Sequence, residues 1–391
     1  MLWLVGLSTL ALVVGLFVTR WLHDPYSLDI IVQPQGVSPR QSAALLSVIV
    51  PARNEARNIR RCVTALLNQS YPRLEIIVVD DCSSDATPQI LAEMATGEPR
   101  LVVVRGVELP DGWAGKPHAL AQGAAAAHGE WLCFVDADTF LQPNCLAAVH
   151  AAAEAHHADL FSLMTAQELG SFWEKVILPL VFLALGVAFS PRRVNDPALP
   201  DAIANGQFIF IRRTVYQAVG GYAAIRDRIV EDKALAEQVK HSGYRLVLAD
   251  GRRVATTRMY TSLPEIWEGW TKNIYLGLQD RLWLLLVGAV TGLSGALALP
   301  SWLLGASAAW LIGGEVAWGV IALQALALAA YLLYKRMQAC RAFGIALPYA
   351  LTLPLGALVF TGMILVSSCK VLSGQGVTWR GRTYRSSRPT P

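Results

Sequence analysis

Three stretches of this chain are almost free of charge, and each is long enough to reach across the hydrocarbon core of a bilayer. Residues 2–19 carry no charged side chain, residues 282–334 carry only Glu315, and residues 345–368 carry none. Of 391 residues, 54% are hydrophobic and 16% charged, which is too apolar for an ordinary soluble protein. The excess is local, because residues 40–280 have globular composition and hold most of the charges. That block suits one domain by length. The expected organisation is therefore an N-terminal transmembrane anchor (1–22), a globular domain (40–262), an amphipathic interface helix (263–281), about three hydrophobic C-terminal segments (282–369) and a basic tail (370–391).

Residues 2–22 have no positive leading region and no Ala-x-Ala site after the apolar core, so they read as a retained anchor rather than a cleaved signal. Arg20 and Arg40 follow the anchor, and the positive-inside rule then puts the globular block in the cytoplasm of a multi-pass protein of the cell (inner) membrane. The 282–334 run should hold two spans turning near residues 313–315. Lys335, Arg336 and Arg341 then mark a cytoplasmic loop. A further span over 345–368 would carry Lys370, Arg380, Arg382, Arg385 and Arg388 outside, whereas their charge argues for a cytoplasmic membrane face; a re-entrant segment near Pro348 and Pro354 would resolve the conflict. No nucleic-acid partner is expected. Six cysteines without Cys-x-x-Cys spacing fit a reducing compartment and exclude a disulfide framework.

Within the block, apolar runs at 45–50, 74–79, 101–104 and 131–135 alternate with helix-like stretches at 56–69, from Thr87-Pro88 onward and at 116–128. This is the pattern of an α/β domain with a mostly parallel sheet. Later segments read as a helix at 142–157, a strand at 160–165, a buried or interfacial helix at 176–190, a strand led by the Asn205-Gly206 turn, a helix at 229–241 and a strand at 245–249. Residues 263–278 show a helical stripe of Leu263, Ile266, Trp267, Trp270, Ile274 and Leu278, read as a helix in the headgroup layer, with ordinary domain core as the alternative. The run Trp131-Leu-Cys-Phe-Val-Asp136-Ala-Asp138 ends a buried strand on two carboxylates, where open α/β sheets bind ligands. Read as strand residues two apart, the acids share one side. Such hard oxygen ligands suit Mg²⁺ or Mn²⁺ carrying a diphosphate, although aspartate is also common in turns after strands.

Five motifs occur in order: Ser47-Val-Ile-Val-Pro-Ala-Arg-Asn-Glu55, Val78-Val-Asp-Asp-Cys-Ser-Ser-Asp-Ala-Thr87, Gly112-Trp-Ala-Gly-Lys-Pro-His-Ala-Leu-Ala-Gln-Gly123, Phe134-Val-Asp-Ala-Asp138 and Val230-Glu-Asp232. Their order resembles that of family 2 glycosyltransferases with the Rossmann-like GT-A fold. The flanking hydrophobic segments and Trp379-Arg-Gly-Arg-Thr-Tyr384 resemble a narrower group, the ceramide glucosyltransferases and the hopanoid- and carotenoid-associated bacterial enzymes. The resemblance implies that Pro51, Ala52 and Glu55 border the nucleotide, that Asp81 beside Asp80 reads the base, and that Lys116 faces the diphosphate. It implies Asp138 as the direct metal ligand, Asp136 as a contact to ribose or metal, and Asp232, next to Glu231, as the general base. A carboxylate can fill that last role, though a first-turn helix acid is also an ordinary structural residue. His118 reads as packing or loop hydrogen bonding.

One departure concerns the Gln/Arg-x-x-Arg-Trp motif of processive and ceramide-type members. Here the stretch is Ile266-Trp-Glu-Gly269-Trp270, which keeps Trp270 as a substrate-contact candidate and loses both polar positions. The expected activity is inverting transfer of one sugar from a nucleotide-diphosphate sugar, UDP-glucose or similar, to a membrane lipid. The alternatives are a processive polysaccharide synthase, against which the incomplete motif argues, and a non-catalytic nucleotide-binding scaffold, against which the retained acids argue.

Overall fold

The computed structural model describes residues 2–21, 28–34, 44–373, 375, 377–379 and 382–384. The chain forms two compact units, Ser27–Glu168 with Phe189–Met259, and Met1–Tyr26 with Leu169–Ala188 and Tyr260–Pro391. The globular unit is thus interrupted: residues 169–188, inside the expected 40–262 range, belong with the hydrophobic helices.

The globular unit is built on a seven-stranded sheet. In chain order its strands and those of a small second sheet are β1 (Leu46–Ala52), β2 (Leu74–Asp80), β3 (Leu101–Arg105), β4 (Trp131–Val135), β5 (Thr139–Leu141), β6 (Leu160–Met164), β7 (Ala166–Gln167), β8 (Phe208–Arg212), β9 (Leu246–Asp250) and β10 (Ala255–Thr257). The large sheet has the order β3-β2-β1-β4-β8-β6-β9, and the small one β5-β10-β7. Pairing is parallel from β3 to β4 and between β6 and β9. Within the large sheet it is antiparallel only where β8 lies between β4 and β6. This is the expected α/β, mostly parallel architecture. All five residues of β4 are buried, as a central strand covered on both faces requires.

The first helix starts later than its apolar pattern suggests. It runs Ile59–Leu67, because residues 53–58 are held in a loop by side chains. The next runs Thr87–Ala95. Thr87 is its first residue and not its cap; the Asp85 carboxylate accepts from the Thr87 N–H at 2.9 Å instead. The Gly115–Ala126 helix lies close on the sheet. A Cβ at Gly123 would stand 2.3 Å from Ile49 Cγ2 and 3.0 Å from Val79 Cγ2, so only glycine allows this approach. The approach brings the N-terminal turn, with Lys116, over the strand ends. The β9 edge is covered: Asn195 bonds both backbone groups of Leu248, at 2.9 and 2.7 Å, and residues 30–32 bond Asp250. Covered edges do not recruit other chains.

In the second unit the Leu2–Trp21 helix packs along Val316–Ala342, where Gln324 bonds both the Ser8 and Thr9 hydroxyls. Among the described residues three helical stretches are long and apolar enough to cross a membrane: Leu282–Gly313, Val316–Ala342 and Leu347–Leu372. The chain turns at Gly313–Glu315, as expected. Lys335, Arg336 and Arg341 do not form a loop, however, because the Val316–Ala342 helix contains all three. Arg336 is 3% exposed, and its Nη2 donates to the carbonyls of Lys175 and Val176 at 2.9 and 3.0 Å. The reason is Pro179, inside the Phe172–Ala188 helix. Proline lacks an N–H, so the carbonyl four residues earlier, that of Lys175, loses its helical donor, and Arg336 supplies one.

The Leu263–Gly277 helix carries the expected stripe, but its tryptophans face other helices of the unit. Trp267 lies over Gly362, and Trp270 packs edge-on against Phe182. The Ser367 hydroxyl inserts into this helix, accepting from the Tyr275 N–H at 3.0 Å and donating to the Thr271 carbonyl at 2.6 Å. The Leu353–Leu372 helix extends past the expected end of the last apolar run, and Val377–Trp379 pairs with Arg382–Tyr384 as a two-stranded ribbon. Arg380, Arg385 and Arg388 lie outside the described residues.

Candidate active site

The strand ends of the globular unit gather most of the expected residues. In-register pairing sets Pro51 opposite Val79 and Ala52 opposite Asp80. Past the strands the Asp81 N–H donates to the Ala52 carbonyl at 2.8 Å. Arg53 bonds the Asp81 carbonyl at 2.8 Å and lies 3.6 Å from its carboxylate. Glu55, 8% exposed, holds Asn58 through Oε2 at 3.0 Å, and its own N–H donates to Thr87 Oγ1. The Asp80 carboxylate accepts from the Ser83 N–H at 3.2 Å. Asp80 and Asp81 are both buried, so the end of β2 and the residue after it form an acidic floor.

The Asp-x-Asp acids do not sit on the strand. β4 ends at Val135, and Asp136-Ala-Asp138 is a turn closed by the Thr139 N–H donating to the Asp136 carbonyl at 3.0 Å. Alternation along a strand therefore does not set their directions. The turn is pinned on both sides: the Asp136 N–H reaches the Gln207 carbonyl at 3.4 Å, and the Arg258 N–H reaches the Asp138 carbonyl at 3.1 Å.

Lys116 joins acids from distant parts of the chain. Its Nζ lies 2.7 Å from Asp136 Oδ1 and 2.8 Å from Glu231 Oε1. Asp232 is adjacent: its Oδ2 accepts from the Gly206 N–H at 3.0 Å and its Oδ1 from the Lys233 N–H at 2.7 Å. A Cβ at Gly206 would fall 3.1 Å from Asp232 Oδ2 and 3.2 Å from Lys116 Nζ, so the site closes tightly around this glycine. Both acids lie in the first turn of the Glu231–His241 helix, where the helix dipole favours negative charge.

The electrostatics follow from this crowding. Burial alone would lower the Lys116 pKa, but the Asp136, Glu231 and Asp232 carboxylates hold it well above the usual lysine range. Asp136 is raised, because burial and the nearby Glu231 and Glu55 outweigh Lys116. Asp232 is pushed up to about 6, by burial first and by Glu231 second, against Lys116 and its two backbone donors. A carboxylate in that range is a competent base near neutrality.

One expectation falls elsewhere. Trp270 belongs to the other compact unit, where it is 6% exposed and its indole N–H has no acceptor among the described residues. His118 has a structural role: its ring nitrogen meets Gln122 at 3.2 Å and it packs edge-on against Trp113. Among the described residues no group of three or more His, Cys, Asp or Glu side chains could enclose a metal. The turn offers two carboxylates, the hard donors that Mg²⁺ or Mn²⁺ takes when a diphosphate supplies further oxygens, so its chemistry fits such an ion. Sequence reasoning missed Gly206 and Gln207. The tight turn before β8 was legible, but nothing in it signals contact with Asp136 or Asp232.

Residues 47–220 match the family model described as glycosyl transferase family 2. A 4,4'-diaponeurosporenoate glycosyltransferase of Staphylococcus aureus is 27% identical over 259 residues, covering 65% of this chain and 67% of its own. A mannosyltransferase from Pyrobaculum calidifontis, solved with GDP-mannose and Mn²⁺, superposes with a TM-score of 0.52 at 20% identity, covering 94% of this chain and 98% of its own. With the mostly parallel GT-A sheet and the ordered motifs at its strand ends, residues 47–220 form a glycosyl transferase family 2 domain, and these similarities support a glycosyltransferase enzyme.

Proposed function

We propose that the chain transfers one sugar, with inversion, from a nucleotide-diphosphate donor to a membrane lipid, on the cytoplasmic side of a membrane crossed by its apolar helices. The observation that carries the reading is Lys116, which links Asp136 to Glu231 beside Asp232. One cation thereby couples the residues assigned to the donor with those assigned to the acceptor. Asp81 and Asp80 take the base and ribose, with Pro51, Ala52 and Glu55 bordering them, and Lys116 faces the diphosphate. Asp138, assisted by Asp136, would hold Mg²⁺ or Mn²⁺, and such an ion, when bound, offsets charge on the departing diphosphate. Asp232, held by the Gly206 and Lys233 N–H groups, takes the proton from the acceptor hydroxyl or carboxyl as its oxygen attacks the anomeric carbon. Lys116 compensates the diphosphate charge from the protein side.

Three apolar helical stretches of spanning length support a lipid acceptor, because a membrane-held enzyme meets lipids in two dimensions. The Staphylococcus relative supports a carotenoid-type acceptor, and the Pyrobaculum structure a nucleotide sugar with Mn²⁺. UDP-glucose is the first donor to try. Mass spectrometry of lipids from cells with and without the gene is the test. A lipid carrying one added hexose, lost on deletion, is the expected result; identical lipid profiles, with donor turnover by the purified protein onto a polysaccharide, would overturn the lipid assignment.

A further inference from the structure

A side chain between the Asp136 turn and Asp232 has no role in the chemistry above. Gln207 is 4% exposed. One end of its amide receives three donors: the Thr165 hydroxyl, Gln167 Nε2 at 3.1 Å and Asn205 Nδ2 at 3.2 Å. The neighbours identify that end as oxygen. Gln167 Nε2 also reaches the Thr165 carbonyl at 3.3 Å, and Asn205 Nδ2 reaches the Leu163 carbonyl at 2.8 Å. A backbone carbonyl only accepts, so both neighbours present nitrogen here. The opposite end of the Gln207 amide is therefore NH₂, and no described residue accepts from it. Thr165 is itself tied to Thr257, and Thr257 to Thr139, at 3.0 and 2.9 Å. The amide is thus locked from behind, and its donors are presented without a partner. Although Gln207 is buried as a residue, this nitrogen is not sealed from solvent, so it is open to something that arrives.

The backbone says what arrives. Gln207 receives the Asp136 N–H on its carbonyl, and the N–H of its neighbour Gly206 holds Asp232. The transferred sugar must span those two points, since its anomeric carbon is bonded to the diphosphate on one side and attacked by the acceptor oxygen on the other. A neutral N–H donor suits a sugar hydroxyl or ring oxygen, whereas a phosphate draws a cation. We propose that Gln207 is a specificity-determining residue whose amide N–H groups hydrogen-bond an oxygen of the sugar being transferred. The inference rests on the nucleotide-sugar reading above and adds the residue that reads the sugar.

The test uses the purified full chain and compares the affinities of UDP-glucose, UDP-galactose and GDP-mannose with those of UDP and GDP. The quantity read is the ratio of sugar-nucleotide to free-nucleotide affinity. Gln207→Met keeps the bulk and removes the donors, and the ratio for the preferred sugar should fall about tenfold, the worth of one hydrogen bond, with UDP or GDP affinity nearly unchanged. Gln207→Glu keeps an oxygen for the three neighbours and covers the case in which the methionine variant does not fold; its added charge affects both ligands alike, so the ratio should fall for it too. An unchanged ratio in the folded variant, or equal losses for sugar nucleotide and free nucleotide, overturns the proposal. Wild-type protein that binds none of these nucleotides refutes the nucleotide-sugar reading instead.

Discussion

Changing Asp232 to asparagine keeps the size of the side chain and removes the proton acceptor. Turnover should fall by about 10²–10⁴, the usual share of a general base, while donor affinity holds, because the nucleotide contacts are assigned to Asp81, Lys116 and Asp138. The pH profile is a second readout. With Asp232 at about 6, its ionised fraction drops about tenfold between pH 7 and pH 5, so wild-type kcat should trace an acid limb there, and the variant's residual rate should not. Stability moves the other way. A carboxyl raised from 3.8 to about 6 opposes folding once ionised, by at most about 3 kcal/mol before solvent screening reduces it. That stability is present in acid and is lost as pH rises through about 6. Asparagine removes this penalty but satisfies only one of the Gly206 and Lys233 N–H groups, at about 1–3 kcal/mol, so the two effects roughly cancel near neutrality. The assay is stopped-time transfer on purified wild type and variant from pH 5 to 8, with donor affinity by calorimetry and thermal midpoints at pH 5 and 7.5. Near wild-type turnover, or the same acid limb in the variant, would refute the assignment of Asp232 as base.

Asp138→Ala should abolish Mn²⁺-dependent binding of the donor while leaving the thermal midpoint of the metal-free protein nearly unchanged; titration of UDP with and without Mn²⁺ checks it, and tight metal-dependent binding by the variant counts against the assignment. Gly123→Val should destabilise by about 1–3 kcal/mol, the cost of overpacking, because its Cβ would meet Ile49 at 2.3 Å; the thermal midpoint reads this, and turnover should fall as the helix carrying Lys116 is pushed off the sheet. The exposed free thiol of Cys82 reports topology: a membrane-impermeant maleimide should label it only after cells are permeabilised, and labelling in intact cells would place the catalytic unit outside.

Much of the sheet was readable because its strands are short apolar runs ended by acids or turn residues. Trp131 to Val135 could hardly be anything but a central strand. What the pattern could not carry was contact between remote segments. Lys116 reads as a solvated helix-start lysine until folding brings it between Asp136 and Glu231. Asn205-Gly-Gln207 reads as an ordinary turn, since three amide and hydroxyl donors around Gln207 arrive from the residue between β6 and β7, from β7 and from the turn itself. Arg336 was misplaced for a related reason. Cations near the end of an apolar run mark a loop by default, and the default fails when a proline 157 positions earlier leaves a carbonyl in need of a donor. The Asp-x-Asp acids were found by type and place, but their geometry was wrong, because the chain leaves the strand one residue before the first of them.

The pairing of Arg336 with the proline-interrupted helix also bears on how the protein is made. The helix holding Pro179 leaves the ribosome long before the helix holding Arg336 exists, and the rest of the globular unit, from Phe189 to Met259, is synthesised between them. During that interval the Lys175 carbonyl lacks its donor, and when the later helix emerges its guanidinium must enter a buried site that is costly without a partner. Each defect is the remedy for the other. The early helix is thus a template that waits for its late partner helix, and assembly of the hydrophobic unit cannot finish until the segment holding Arg336 has been translated.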